Sequence, residues 1–179
     1  MNKLAQVNRP KLLELLSERL AFERASVKLY DDILGKLRQL SPDSGMDRVA
    51  EQLATVRDQE VEHEQWLATQ ISLFGGDPDA LTPRVQLVEI ESRGIGEVVS
   101  TDPDLSHMFH ALLMAELGDH AGWELLLELA DFADDPLARQ EFGMRLQEED
   151  RHLLFVQELV ENLARREVLG QEQPLPELL

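Results

Sequence analysis

The chain has 179 residues, no cysteine, and a formal net charge of −18 that results from 17 Lys and Arg against 35 Asp and Glu. The absence of cysteine excludes disulfides, iron–sulfur clusters, cysteine-based zinc sites and thiol catalysis. The negative charge disfavours nucleic acid and anionic lipid as partners, and no stretch approaches the roughly 20 apolar residues of a membrane span, so we expect a cytoplasmic protein.

The composition favours helix over sheet. Leu, Ala and Glu are abundant, only 5% of the residues are aromatic, and Val and Ile do not form the short alternating runs of a sheet. The chain is long enough for one domain with a sizeable core. We therefore predict a single all-α domain over residues 1–179. Its four long helices are predicted at about residues 10–40, 46–74, 103–132 and 136–169.

The boundaries of these helices follow from local signals. The first begins near Pro10, because proline is favoured in a first helical turn, and the break at residues 41–45 ends it. The second ends at Gly75–Gly76. The third and fourth begin at two similar cap-and-proline sequences, Thr101–Asp102–Pro103 and Asp134–Asp135–Pro136.

The lengths of the connections predict the topology. Helices 1 and 2, like helices 3 and 4, are separated by only a few residues, so each pair should form an antiparallel hairpin. Residues 75–101 are long enough to cross back along the molecule, which makes helices 2 and 3 parallel. Within this crossover, residues 85–90 are compatible with a short helix or an extended strip. The tail, 171–179, is expected to be extended and mobile.

Each predicted helix carries a carboxylate near the middle of its apolar face. These residues are Glu23, Glu60, Glu116 and Glu149. Burying unpaired carboxylates costs several kcal/mol each, roughly, even after relaxation, whereas a pair of divalent cations would be neutralised by them. Two of the four belong to Glu-x-x-His sequences, Glu60–His63 and Glu149–His152, and side chains three residues apart on a helix can reach the same ion.

This set resembles the di-metal arrangement of the ferritin-like superfamily, which includes ferritins, bacterioferritins and rubrerythrins. The matched residues are Glu23, Glu60, His63, Glu116, Glu149 and His152, and the resemblance extends over about residues 9–169. Residues 115–126 look most like bacterial ferritin-like domain proteins. The resemblance implies a four-helix bundle, six metal ligands and a homodimer or larger homo-oligomer. No rubredoxin module or short fifth helix of cage-forming ferritins is matched, so cage assembly is not implied.

Three further residues are candidates for a role beside the ligands. Asp119 lies one turn after Glu116, where rubrerythrin-like proteins carry a second carboxylate. His120 could serve in its place. Tyr30 could be a redox-active phenol or a hydrogen-bond donor to a ligand. We treat these three as possible additional ligands or neighbours of ligands.

The function expected from the resemblance is oxidoreductase chemistry at a di-iron, or alternatively di-manganese, centre. Oxygen or hydrogen peroxide would be the co-substrate, as in a ferroxidase or peroxidase, and the di-metal centre would itself be the catalytic site. Three alternatives remain open at this stage. The first is iron binding or storage without turnover, and the second is a structural bundle with a vestigial or zinc site. The third is an oxygenase whose substrate pocket is lined by the crossover.

Overall fold

The structure, a computed structural model, describes residues 1–40, 46–170 and 176–178, and within these ranges it consists of helices, turns and connections without a strand. The five helices are α1 (Asn2–Leu37), α2 (Asp47–Leu73), α3 (Pro83–Thr101), α4 (Leu105–Phe132) and α5 (Pro136–Leu169). No helix in the described part of the chain is long and apolar enough to cross a membrane. The prediction of an all-α protein is therefore confirmed.

Helix α1 starts earlier than predicted and contains a kink. Asn8 has non-helical backbone angles, φ −159° and ψ 80°, two residues before Pro10. The Asn8 side chain accepts a hydrogen bond of 3.2 Å from the backbone N–H of Lys11, so it caps the longer part of the helix. Pro10 thus lies in the first turn of that longer part, as expected, while residues 2–7 add a short helical segment before it.

The crossover is mainly helical. Thr82 caps α3 by accepting a hydrogen bond of 3.2 Å from the N–H of Val85, and Pro83 occupies the first turn. Residues 85–90 therefore belong to a helix and not to an extended strip. The predicted cap at Thr101–Asp102–Pro103 was wrong, because Thr101 ends α3 and Asp104 caps α4 through the N–H of Ser106.

Two apolar clusters fill the core at opposite ends of the helices. Cluster A joins the first half of α1, the end of α2, the second half of α4 and the start of α5, whereas cluster B joins the opposite ends. Cluster A includes Leu16, Leu20, Leu67, Ile71, Trp123 and Phe142, and cluster B includes Leu29, Ile33, Leu53, Phe109, Leu112, Phe155 and Leu159. It follows that α1 is antiparallel to α2 and α4 to α5, while α2 runs parallel to α4. Helix α3 packs against α1 and α4.

The predicted mobile tail lies partly outside the described residues, which exclude 171–175 and 179. Residues 176–178 lie against α2. The Gln52 side chain donates to the carbonyl of Pro176 at 3.3 Å and accepts from the N–H of Leu178, and Arg48 pairs with Glu177. This short segment is therefore in contact with the start of α2.

Candidate metal centre

A layer of buried polar side chains separates the two apolar clusters. Every helix except α3 contributes to it, because each of the other four replaces one apolar position in mid-helix by a carboxylate. All six predicted ligands are buried, and the structure brings them together into two overlapping groups. In each group the candidate ligand atoms lie within 4.8 Å of one another. The first group is Glu23, Glu60, His63 and Glu149, and the second is Glu60, Glu116, Glu149 and His152.

The atoms that face the centre of this layer make no well-aligned hydrogen bond, although His63 Nδ1 lies 2.9 Å from Glu149 Oε1 and His152 Nδ1 lies 3.1 Å from Glu60 Oε1. Glu60 and Glu149, which belong to both groups, each present two such oxygens. Among the six candidate ligands these atoms are Glu23 Oε2, Glu60 Oε1 and Oε2, His63 Nδ1, Glu116 Oε2, Glu149 Oε1 and Oε2, and His152 Nδ1. Buried polar atoms are almost always satisfied in folded proteins. Eight oxygen and nitrogen atoms in one place without a well-aligned hydrogen bond therefore need an explanation, and their types are those that bind divalent transition metals.

The two single glutamates are each held by one oxygen. The hydroxyl of Tyr30 donates a hydrogen bond of 2.6 Å to Glu116 Oε1, and the indole N–H of Trp123 donates one of 2.8 Å to Glu23 Oε1. Tyr30 follows Glu23 by seven residues, and Trp123 follows Glu116 by seven. Tyr30 of α1 thus binds the glutamate of α4, and Trp123 of α4 binds the glutamate of α1. This leaves Oε2 of both carboxylates available to an ion.

The two histidines are held in the same way, with Nε2 outward and Nδ1 inward. His63 Nε2 lies 2.7 Å from Glu148 Oε2, and His152 Nε2 lies 2.8 Å from Gln59 Oε1. An outward hydrogen bond of this kind fixes the ring orientation and the tautomer of a metal-binding histidine. The outward partners differ chemically, since one is a carboxylate and the other an amide.

Electrostatic interactions within the layer are strong. Burial raises the pKa of Glu116 to about 7. Burial, together with the negative charges of Glu149 and Glu23, also holds the pKa of Glu60 well above its ordinary value. These raised pKa values show how unfavourable it is to place several negative charges in this layer.

The histidines partly compensate this repulsion. Burial by itself lowers the pKa of His63, but its contacts with Glu148 and Glu149 prevail and raise it to about 9. Burial likewise opposes ionisation of Glu149, yet the neighbouring His152 and His63 lower its pKa to about 2. A positive charge on the inner side of the layer is therefore strongly favoured, whether a proton or a metal ion supplies it.

Asp119 lies beside the centre, and the two groups of candidate ligands do not include it. Its Oδ1 is 3.2 Å from Nη2 of Arg19, a buried arginine on α1, and its Oδ2 accepts a hydrogen bond of 3.4 Å from Ser26. Burial holds the pKa of Asp119 well above its ordinary value, with Arg19 acting in the opposite direction. Asp119 is thus a neighbour of the ligands and a partner of Arg19.

His120 is placed differently from the expectation that it could reach the centre. Its Nε2 lies 2.8 Å from Oδ1 of the exposed Asp150, and its own side chain is partly exposed. Successive residues of a helix are rotated by about 100°, so the residue after the buried Asp119 points toward the edge of the α4–α5 contact. Tyr30, by contrast, directly contacts the ligand group through Glu116.

A cavity of about 450 Å³ lies between α1 and α3 beside this layer. Its lining includes Phe22, Ser26, Ile95 and Ala115, together with charged side chains such as Arg93. Ser26 contacts Asp119, and Ala115 directly precedes Glu116, so the inner wall of the cavity is next to the candidate ligands. The crossover helix therefore forms the outer wall of a mainly apolar space beside the centre.

Four residues of the centre have roles that were not predicted from the sequence. They are Arg19, Trp123 as a hydrogen-bond donor, and the outward partners Gln59 and Glu148. The only signal for the last two is that each directly precedes a Glu-x-x-His sequence. Comparison with known proteins adds no further assignment, since neither a family model nor a curated protein matches this chain.

Proposed function

We propose that this chain is a ferritin-like di-metal protein that binds two iron ions, or two manganese ions, and reacts with oxygen or hydrogen peroxide. The observation that carries the proposal is the set of eight buried donor atoms, contributed by four helices, that face one another without a well-aligned hydrogen bond. One glutamate from each of two helices and a Glu-x-x-His pair from each of the other two is the ligand set of di-iron and di-manganese carboxylate bundles.

The donor atoms divide naturally into two sets of four. Glu23 and His63 would bind one ion, and Glu116 and His152 the other. Glu60 and Glu149 belong to both groups, so their two oxygens are available to both ions. Each ion would then have three carboxylate oxygens and one neutral imidazole nitrogen as ligands. This combination suits iron and manganese, and histidine also binds zinc.

The neighbouring residues would keep these ligands in position. Tyr30 and Trp123 fix the terminal glutamates, while Glu148 and Gln59 orient the histidines. Bound iron or manganese would supply the capacity to exchange electrons with the oxidant. The mainly apolar cavity between α1 and α3 would bring a small neutral oxidant such as oxygen or peroxide close to the neighbours of the ligands, Ser26 and Ala115.

The test is anaerobic loading with Fe²⁺ followed by rapid mixing with oxygen or with hydrogen peroxide. We expect oxidation of Fe²⁺ faster than in buffer, with an amplitude that saturates at about two ions per chain. The Glu60→Ala/Glu149→Ala double variant should oxidise Fe²⁺ no faster than buffer. Binding of two Fe²⁺ without accelerated oxidation would refute the oxidoreductase proposal and leave a metal-binding protein without turnover.

A further inference from the structure

Arg19 is a buried arginine that binds at the edge of the candidate centre. Its Nε lies 3.5 Å from Oε1 of Glu23, and its Nη2 lies 3.2 Å from Oδ1 of Asp119. Its Nη1 donates a hydrogen bond of 3.1 Å to the backbone carbonyl of Asp119. The guanidinium is thus fixed between one candidate ligand on α1 and one non-ligand carboxylate on α4.

The space for this guanidinium is built into α4. A Cβ atom at Gly122 would lie 1.7 Å from Nη1 of Arg19, so no other residue fits at that position without displacing the arginine. On its other side the guanidinium carbon is 4.3 Å from the centre of the Phe22 ring, a favourable cation–π distance. Because Gly122 has no side chain, the guanidinium of Arg19 can approach the backbone of α4 closely.

The two halves of the layer differ at this point. Four residues before Glu23 stands Arg19, but four residues before Glu116 stands Leu112, a buried apolar residue. Three residues after Glu116 stands Asp119, whereas three residues after Glu23 stands Ser26. One half therefore holds its glutamate without an arginine, so the arginine is particular to the half that contains Glu23.

Counting the charges of the layer suggests what the arginine does. Five carboxylates in or beside this layer are almost completely buried, namely Glu23, Glu60, Glu116, Asp119 and Glu149. Two divalent ions would contribute four positive charges, and Arg19 contributes the fifth. The charges then cancel, which matters because uncompensated charge inside a protein is costly.

We propose that Arg19 and Asp119 together set the charge of the centre, so that it is neutral when it holds two divalent ions. The inference rests on the proposed di-metal function and deepens it. Arg19 is a positioning residue, because it contacts the candidate metal ligand Glu23 and acts on the ions only through its charge. Its fixed positive charge limits how tightly divalent ions bind, and the negative charge of Asp119 offsets it.

The test is titration of chelator-treated protein with Mn²⁺, followed by calorimetry, for Arg19→Met, Asp119→Asn and the double variant. Removing the positive charge should tighten Mn²⁺ binding by about tenfold or more, because it acts over a few ångströms in a water-poor interior. Removing the negative charge should weaken binding by a similar factor. The double variant, in which both charges are absent, should return close to the wild type.

A purely structural role gives a different pattern, since both single variants would then weaken binding. Arg24→Met is the matched control, because Arg24 is on the same helix but pairs with Glu64 and Asp79 at the surface. It should leave the affinity unchanged. If Arg19→Met does not fold, as judged by circular dichroism, Gly122→Ala displaces the guanidinium without removing a charged residue and should tighten binding in the same direction.

The outcomes separate this inference from the proposed function. Wild-type protein that binds no Mn²⁺ would overturn both. Wild-type protein that binds two Mn²⁺, with single variants that shift in the same direction or not at all, would overturn only the role of Arg19 and Asp119. Opposite shifts that cancel in the double variant would establish it.

Discussion

Replacement of Glu60 by methionine should have opposite effects on stability in the absence and presence of metal. Glu60 is completely buried, and its carboxyl oxygens make no well-aligned hydrogen bond, although His152 Nδ1 lies 3.1 Å from Oε1. An unsatisfied buried polar group costs about 1–3 kcal/mol, and methionine has nearly the same length without the polar atoms. In chelator-treated protein, Glu60→Met should therefore raise the free energy of unfolding by about 1–3 kcal/mol. For a chain of this size this corresponds to an increase in Tm of about 2–12 °C.

With metal the order should reverse. Ligands that bind only the folded state stabilise it, by about 2.7 kcal/mol when the free ligand is at 100 times its Kd. Wild-type protein should gain this increment with Mn²⁺, whereas Glu60→Met, which lacks two of the eight donor atoms, should gain little. Calorimetric melting with chelator and with Mn²⁺ measures both effects.

Glu62→Met is the matched control for this experiment, since Glu62 is exposed on the same helix two residues away. Its Tm should change little in either condition. The reasoning is refuted if chelator-treated Glu60→Met melts below the wild type while Glu62→Met does not. That result would mean that the buried carboxyl group stabilises the metal-free fold, so the layer would need no metal ion.

Three further predictions concern the ligands and their neighbours. First, metal binding must displace protons, because the pKa of His63 is about 9 and that of Glu116 about 7. The apparent affinity for Mn²⁺ should therefore rise from pH 6 to pH 9, and calorimetry in buffers of different ionisation enthalpy should show the release of protons. A pH-independent affinity would contradict this prediction. Second, Tyr30→Phe removes the hydrogen bond to Glu116 and should reduce stability by about 1–3 kcal/mol in denaturant titrations, whereas an unchanged midpoint would show that this bond contributes nothing. Third, Glu148→Gln makes the outward partner of His63 an amide, like that of His152, and should lower the affinity for one of the two Mn²⁺ ions by about tenfold. Gln59→Glu should raise the affinity for one Mn²⁺ ion. Equal changes in affinity for both ions would contradict separate roles of the two outward partners.

The helices that could be predicted from sequence are those with strong local signals. The fourth predicted helix, 136–169, has the same limits as α5, because Asp135 caps its start and Gly170 takes the left-handed conformation at its end, with φ 63°. Helix α3 could not be assigned. It contains Gly94 and Gly96 and several β-branched residues, so its intrinsic helix propensity is low and its packing against α1 and α4 must contribute to its stability.

The same distinction applies to the candidate site. Glu60 and His63 could be selected because their spacing and the apolar residues around them predict a shared buried face. The position of Asp119 beside the ligands could be predicted, but its pairing with Arg19 could not, because that pairing depends on a contact between α1 and α4. Arg19 approaches Asp119 only where Gly122 leaves room, and neither residue has a sequence neighbour that indicates this pairing. Contacts between distant segments require the tertiary structure.

The most direct test of the di-metal centre is elemental analysis of protein expressed in medium rich in iron and manganese and purified without chelator. We expect about two Fe or Mn per chain in the wild type, and almost none in the Glu60→Ala/Glu149→Ala double variant. Wild-type protein that is folded and free of metal, or that retains its metal when both glutamates are removed, would refute the di-metal centre.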